Sequence, residues 1–271
     1  MPIGLAGAVS LREHFFNAPF DGLDRSEVLS LLAQDPPRDF EARSFRYVVT
    51  PNVDHVVRLS ADPSLAPCYE AAWLSLCDSK PILVMSRLLT RGGFLHLPGS
   101  TLTEILFRTV IRPGDRIALV VASDAIAADM RVSFPDLDLA ILTAPPDIDG
   151  DPAAFATCVA FVARSRARFT FIAIGAPRSE RIAFQASLDP DACGTALCIG
   201  AALEFLLGRK RRAPLWMQRT GIEWLHRLAS EPHRLWRRYL LAVLPFGRLL
   251  LKEGLARLPS RRALPPRTVK S

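Results

Sequence analysis

The sequence has no uninterrupted apolar run approaching the roughly 18–20 residues that a spanning helix needs. The best candidate, Tyr239–Leu251, is shorter and carries Pro245 and Arg248, so the chain can lie on a membrane but is not expected to cross it. Met1–Val9 is short and weakly apolar, with Arg12, Glu13 and His14 close behind, and does not read as a secretory leader. The five cysteines, Cys68, Cys77, Cys158, Cys193 and Cys198, lack CxxC spacing and sit in apolar surroundings. This predicts buried free thiols in the cytoplasm and speaks against a disulfide framework. The five histidines show no HExxH or paired spacing, so no catalytic metal site is expected. Neither GxGxxG nor a P-loop glycine-lysine motif occurs, which leaves a dinucleotide oxidoreductase or P-loop NTPase poorly supported.

What is present is enough for a sizeable core, with 49% hydrophobic and 23% charged residues. Strand-like runs alternate with helical periodicity through residues 1–208, which predicts an α/β domain with a largely parallel sheet. The strands expected are Phe45–Thr50, Leu74–Cys77, Arg116–Val121, Leu137–Leu142 and Phe169–Ile174. Helices are expected to start at Val53 and Ser179 and to cover Ser64–Leu74, Ala125–Ser133 and Asp151–Ser165. In such sheets ligands bind beyond the carboxyl ends of the strands. Those ends are Thr50/Asn52, Asp78, Ser123/Asp124 and Gly175–Glu180.

Charge divides the chain. From Arg209 onward 16 Lys and Arg stand against 3 Asp and Glu, whereas residues 1–208 are net acidic. The basic part interleaves Trp216, Trp224, Trp236 and Tyr239 with arginines, a pattern suited to an anionic membrane interface. Residues 209–257 therefore read as a basic, membrane-associating helical appendage, and the Pro- and Arg-rich end 258–271 as disordered. A solvated basic face is the plain alternative. A nucleic-acid partner is not expected, since zinc spacing and RNA-binding signatures are missing and Pro232 and Pro245 interrupt a groove-reading helix.

Three constellations carry candidate chemistry. Thr50-Pro51-Asn52-Val53-Asp54-His55 places a hydroxyl and an amide at a strand-to-helix junction, where Thr50 or Asn52 could instead cap the helix. Asp78 closes a short apolar strand, positioned either for acid–base work above the sheet or for capping the next helix. Gly175-Ala176-Pro177-Arg178-Ser179-Glu180 turns sharply from strand into helix, where backbone N–H groups could hold a phosphate with Arg178 as counter-ion.

Taken in order, these stretches, with Gly99-Ser100, Ile199-Gly200, Arg211-Arg212-Ala213-Pro214, Glu223-Trp224-Leu225, Glu231-Pro232 and Arg237-Arg238-Tyr239, resemble the bacterial WecG/TagA/CpsF glycosyltransferase family. The resemblance implies a Rossmann-like domain that transfers N-acetylmannosamine or a related sugar from a UDP-sugar donor to a polyprenyl-diphosphate-linked sugar acceptor, with inversion. It implies that Thr50 and Asn52 line the site and that Asp78 is the general base. Gly175, Pro177, Arg178 and Glu180 are carried over as substrate-binding positions, and Arg212, Arg227, Arg234 and Arg237 as arginines reaching the diphosphates. No cofactor and no metal are expected, and a homo-oligomer is left open. The chain departs from the family pattern at Ser79, Thr101, Ser179 and Glu204, which bears on the choice of donor sugar. The rival reading is a catalytically silent, membrane-associated binding module on the same fold.

Overall fold

The protein is described from a computed structural model, which covers residues 12–34, 45–89, 94–214, 216–217, 223–230 and 232–257. The expected leader-free start and the terminal segment 258–271 lie outside the described residues. The chain opens with a hairpin, β1 (Arg12–Phe15) and β2 (Ala18–Asp21), then α1 (Arg25–Ala33). The first sheet strand, β3 (Phe45–Val49), leads through α2 (Val53–Ala61), a 3-10 turn and α3 (Ala66–Glu70) to β4 (Leu74–Ser75). Then come α4 (Lys80–Leu89), α5 (Gly99–Thr109), β5 (Arg116–Val121), α6 (Asp124–Ser133), β6 (Asp138–Thr143) and α7 (Pro152–Arg164). The domain ends with β7 (Phe169–Ala173), α8 (Arg178–Ala186), β8 (Gly194–Cys198) and α9 (Ala202–Leu206), and the basic region holds α10 (Glu223–Ser230) and α11 (Pro232–Arg257).

The six long-range strands pair in the order β4-β3-β8-β7-β5-β6, every pair parallel. Strands covered on both faces must be apolar on both, which is why RIALVV and FTFIA run without polar alternation. Tyr47, Val49, Val120, Ile172 and Ala196 enter one core with residues of α2, α3, α7 and α8. Val48, Leu119, Val121, Phe171 and Leu197 enter the other with residues of α1, α5, α6 and α9. This is a Rossmann-like α/β fold. The chain builds outward from β3 to β4 on one side and from β5 to β6 on the other, with β7 and β8 filling the middle, so a crevice is expected above that middle.

The predicted helix 64–74 breaks into the 3-10 turn and α3, because Trp73 must extend for its amide to donate to Tyr47 O at 2.9 Å. The predicted strand 74–77 pairs with β3 over two residues only, and Cys77 instead bridges His96. The hairpin, α1, α4, α5, β8 and α9 are additions to the elements expected from the sequence.

The short β4 is braced from outside the sheet. Arg12 grips Asp21 with two hydrogen bonds of 2.9 Å, and it also donates to Ala72 O and Trp73 O at 2.9 and 3.0 Å. Asp21 Oδ2 accepts Ser75 N at 2.7 Å, and Ser75 Oγ donates to Pro19 O at 2.6 Å. A carboxylate thus satisfies the outer edge of the sheet where a neighbouring strand would otherwise stand. Arg12→Leu removes the cation from a buried carboxylate, and urea unfolding should show a loss of about 3 kcal/mol. A loss within 0.5 kcal/mol, roughly the size of an ordinary surface change, would contradict this bracing role.

Candidate active site

Three loops are knitted together at the carboxyl ends of β3 and β4. The amide of Asp78 donates to Pro51 O at 3.0 Å, and Leu97 N donates to Cys77 O at 3.0 Å. Asp78 therefore stands beside the Thr50–Asn52 turn on one side and the Leu97–Gly99 segment on the other. Ser79 Oγ, rather than a group supplied by the turn, accepts the Ile82 amide of α4 at 3.4 Å. Asp78 itself is half-buried.

Thr50 is buried, and its hydroxyl donates to Cys198 O at 3.3 Å, linking the ends of β3 and β8. Gly99 packs directly on it. A β-carbon at Gly99 would come within 3.1 Å of Thr50 Oγ1 and 3.6 Å of Ile199 Cα, so glycine lets the start of α5 reach the sheet edge. Asn52 does cap α2, its side chain accepting the Asp54 amide at 3.0 Å. That bond occupies the amide oxygen, and the NH2 end of the same side chain takes no part in it.

On the β7 side, Gly175 adopts φ +83° and lets the chain turn from strand into α8. Arg178 lies in an ion pair with Asp149, its Nε 2.7 Å from Oδ2. Ser179 turns inward and donates to Ile172 O and Gly175 O at 3.2 and 3.3 Å. The helices α5, α8 and α9 all begin here without a side-chain cap, at Pro98, Pro177 and Ala201, whereas α2 and α6 are capped by Asn52 and Ser123. Uncapped first turns leave N–H groups and positive dipole ends toward whatever lies above the β3–β8–β7 edge.

Glu180, read from sequence as substrate-binding, is 2% exposed and sits beneath this edge. Its Oε1 lies 3.9 Å from His55 Nδ1, which in turn is 3.1 Å from Tyr69 Oη. No hydrogen-bond partner meets its Oε2. Burial pushes the Glu180 carboxyl up to about 7. Burial, with help from Lys80, pushes His96 down to about 4, leaving a neutral imidazole opposite Cys77 at pH 7. Tyr69, His96 and the place of His55 beside Glu180 carry no local sequence signal, because only the packing of α2, α3, α8 and the β4 end brings these groups into place.

The basic region is partly neutralised within the molecule. Arg209 pairs with Asp129, Lys210 with Glu204, Arg212 with Glu104 at 3.2 Å, and Arg257 with Glu13. Arg212 is thus placed on the flank of α5. The side chains of Arg227, Arg234 and Arg237 lie outside the described residues, although α10 and α11 carry their backbones. Among the described residues no three His, Cys, Asp or Glu side chains gather as a metal-holding group, and no helix is long and apolar enough to cross a membrane. A cavity of about 350 Å³ between α7 and α8, lined by Phe155, Val159, Ala163 and Gln185, contains none of the strand-end residues.

A parallel sheet with an acid, a hydroxyl and uncapped helix starts gathered at its carboxyl edge defines a Rossmann-like α/β enzyme. The chain belongs to the glycosyl transferase WecG/TagA/CpsF family, which it matches over residues 13–260, and it is a glycosyltransferase. Two relatives carry the name N-acetylglucosaminyldiphosphoundecaprenol N-acetyl-beta-D-mannosaminyltransferase. One, from Bacillus subtilis (strain 168), is 33% identical over 93 residues, which are 34% of this chain and 35% of that one. The other, from Bacillus spizizenii (strain ATCC 23059 / NRRL B-14472 / W23), is 24% identical over 247 residues, covering 86% of this chain and 93% of that one.

The raised Glu180 carboxyl fixes the sign of a pH effect. Between its ordinary 4.5 and about 7 the folded protein holds a proton that the unfolded chain has lost, so stability falls as pH rises through this window. From pH 4.5 to pH 8, Glu180→Gln should gain about 3 kcal/mol on the wild type. Parallel stability profiles for the two proteins in urea would contradict a buried, proton-holding Glu180.

Proposed function

We propose that the protein is an inverting transferase that moves N-acetylmannosamine or a related sugar from a UDP-sugar to a polyprenyl-diphosphate-linked sugar, in the assembly of a bacterial surface glycan. The observation that carries this reading is the position of Asp78, a carboxylate tied through its own amide to the Thr50–Asn52 turn in a chain of this family. The two Bacillus relatives are named for transfer of an N-acetylmannosaminyl group to an N-acetylglucosaminyl-diphosphoundecaprenol, which supports the donor and acceptor classes.

The chemistry needs one base and a place for a leaving diphosphate. Asp78 takes the proton from the acceptor hydroxyl as its oxygen attacks the anomeric carbon. The new carbon–oxygen bond forms on the face opposite the old one, and UDP leaves with the electron pair of the bond that breaks. Positive helix ends at α5, α8 and α9 favour the departing diphosphate over the starting ester. Arg178, Arg212, Arg227, Arg234 and Arg237 are the cations assigned to the two diphosphates, and the reaction is read as metal-independent.

The appendage is assigned to the membrane surface on the cytoplasmic side. Trp236, Val243, Leu244, Leu251 and Leu255 of α11 are exposed, with Arg248 and Lys252 also exposed among them, a composition suited to lying in an anionic interface.

Asp78→Asn should lower transfer by about 10²–10⁴-fold while leaving the fold and UDP binding in place. Near-normal turnover of that variant at saturating substrates would reject Asp78 as base, and loss of turnover in EDTA, restored by a divalent ion, would reject the metal-free scheme. Arg227→Ala and Arg234→Ala should depress transfer even to a short-chain, water-soluble acceptor. Full activity of both on that acceptor would make the appendage an anchor alone.

A further inference from the structure

The N-terminal hairpin touches two parts of the molecule that the transferase reading requires to act together. On one side it braces the strand leading to Asp78: Asp21 accepts the Ser75 amide, and Phe20 stacks on Phe94 at 4.8 Å just ahead of the His96 bridge to Cys77. On the other side it holds the end of α11. Arg257 Nη1 donates to Glu13 Oε1 at 2.9 Å, Nη2 donates to His14 O at 2.6 Å, and Nε donates to Glu253 at 2.6 Å. The same guanidinium lies over the Phe15 ring at 5.0 Å, and Phe16 N donates to Glu253 Oε2 at 3.4 Å.

We propose that Arg257 is a positioning residue of sugar transfer, latching α11 to the hairpin that braces the Asp78 strand so that the base and the helix-borne arginines share one frame. The proposal rests on the transferase reading given above.

The hairpin tip is shaped for this contact. Phe15 pairs with Ala18, which leaves the two-residue turn Phe16-Asn17 with φ 54° and 60°. Turn chemistry alone favours Asn, Asp or Gly at both places, and Phe is disfavoured at positive φ. Phe16 is nonetheless 1% exposed, its ring 5.4 Å from that of Phe246 on α11. The aromatic stands in an unfavourable backbone conformation and has the helix to pack against.

The geometry of α11 makes such a latch consequential. Among the described residues of the helix, those that dock on the domain, Phe246, Leu249, Glu253 and Arg257, all follow Pro245, which lacks the N–H for the helical bond to Leu241. Arg234 and Arg237 lie in the half before that proline. From Arg257 back to Arg237 is about 30 Å of helix at 1.5 Å per residue. A tilt of about 10° at the latch therefore moves the arginine-bearing turns by about 5 Å, far beyond the roughly 1 Å tolerated by a reacting geometry.

The test uses the full chain with UDP-N-acetylmannosamine and a short-chain polyprenyl-diphosphate N-acetylglucosamine acceptor, together with hydrogen exchange. Arg257→Ala and Glu13→Ala should each lower kcat about tenfold, keep the donor KM within about twofold, and speed exchange in 246–257 but not in β3, β5 or β7. The double variant should lose no more than the worse single one. Phe16→Asn, which suits the turn and deletes the ring, should keep the hairpin and show the same kcat loss. It carries the test if Arg257→Ala fails to fold. Normal kcat with faster exchange in α11 would overturn the positioning role, and unchanged exchange in all variants would overturn the latch. A wild type without turnover on any UDP-sugar would overturn the transferase reading and the positioning role with it, while faster exchange in the variants would still identify the latch.

Discussion

The carboxyl edge of the sheet depends on a strand too short to hold itself. β4 contributes two residues to the ladder with β3, yet it delivers Cys77, Asp78 and Ser79 to the candidate site. The buried Asp21 carboxylate replaces the missing neighbour by accepting the Ser75 amide, and Arg12 neutralises it while reaching back to three carbonyls around α3 and β4. A lone strand of that length would leave its outer amide and carbonyl groups to water and its register unfixed. With the hairpin in place, Asp78 is held to the β3 turn through its own backbone amide.

The same edge concentrates unusual electrostatics. Three helices start there without side-chain caps, and beneath them Glu180, His55 and Tyr69 form a buried polar group between α8, α2 and α3. A carboxyl in that position keeps its proton up to about pH 7, because desolvation penalises its charge more than the surrounding groups favour it. A neutral Glu180 adds no negative charge under a place assigned to a diphosphate, whereas an ionised one would oppose it. The basic region shows a complementary economy: the acidic domain takes up Arg209, Lys210, Arg212 and Arg257 in ion pairs. The charge asymmetry of the chain thus also helps to hold the appendage to the domain.

Legibility in the sequence followed the reach of each interaction. β5 and β7 are legible as apolar runs because burial on both faces is a local pattern, and the capping role of Asn52 is legible within the six residues Thr50–His55. The hairpin was invisible, since REHF and APFD carry neither alternation nor a favoured turn pair, and their partners are as distant as Ser75 and Arg257. β8 was missed for a related reason: GTALC is short and its strand character comes from insertion between β3 and β7. Glu180 looked like a ligand-facing acid because it follows a sharp turn, but at the third position of α8 it points into the core. Arg212 belonged to a basic run whose pairing with Glu104 spans 108 residues of sequence and obeys no local rule.

Three of the positions that depart from the family pattern bond to backbone or to the protein's own charges. Ser79 Oγ takes the Ile82 amide, Ser179 Oγ bonds the end of β7, and Glu204 pairs with Lys210. Each adjusts how a loop or strap is held and adds no new ionised group above the sheet. Asp78, Thr50 and Asn52 are retained, and the first is tied to the turn that carries the other two. Bonds beneath the acid and the hydroxyl set the height and tilt of the loops that carry them, and a reacting geometry is sensitive to displacements of about 1 Å. On the transferase reading proposed above, selectivity for the donor belongs to this scaffolding and the proton transfer to Asp78, which the scaffold holds.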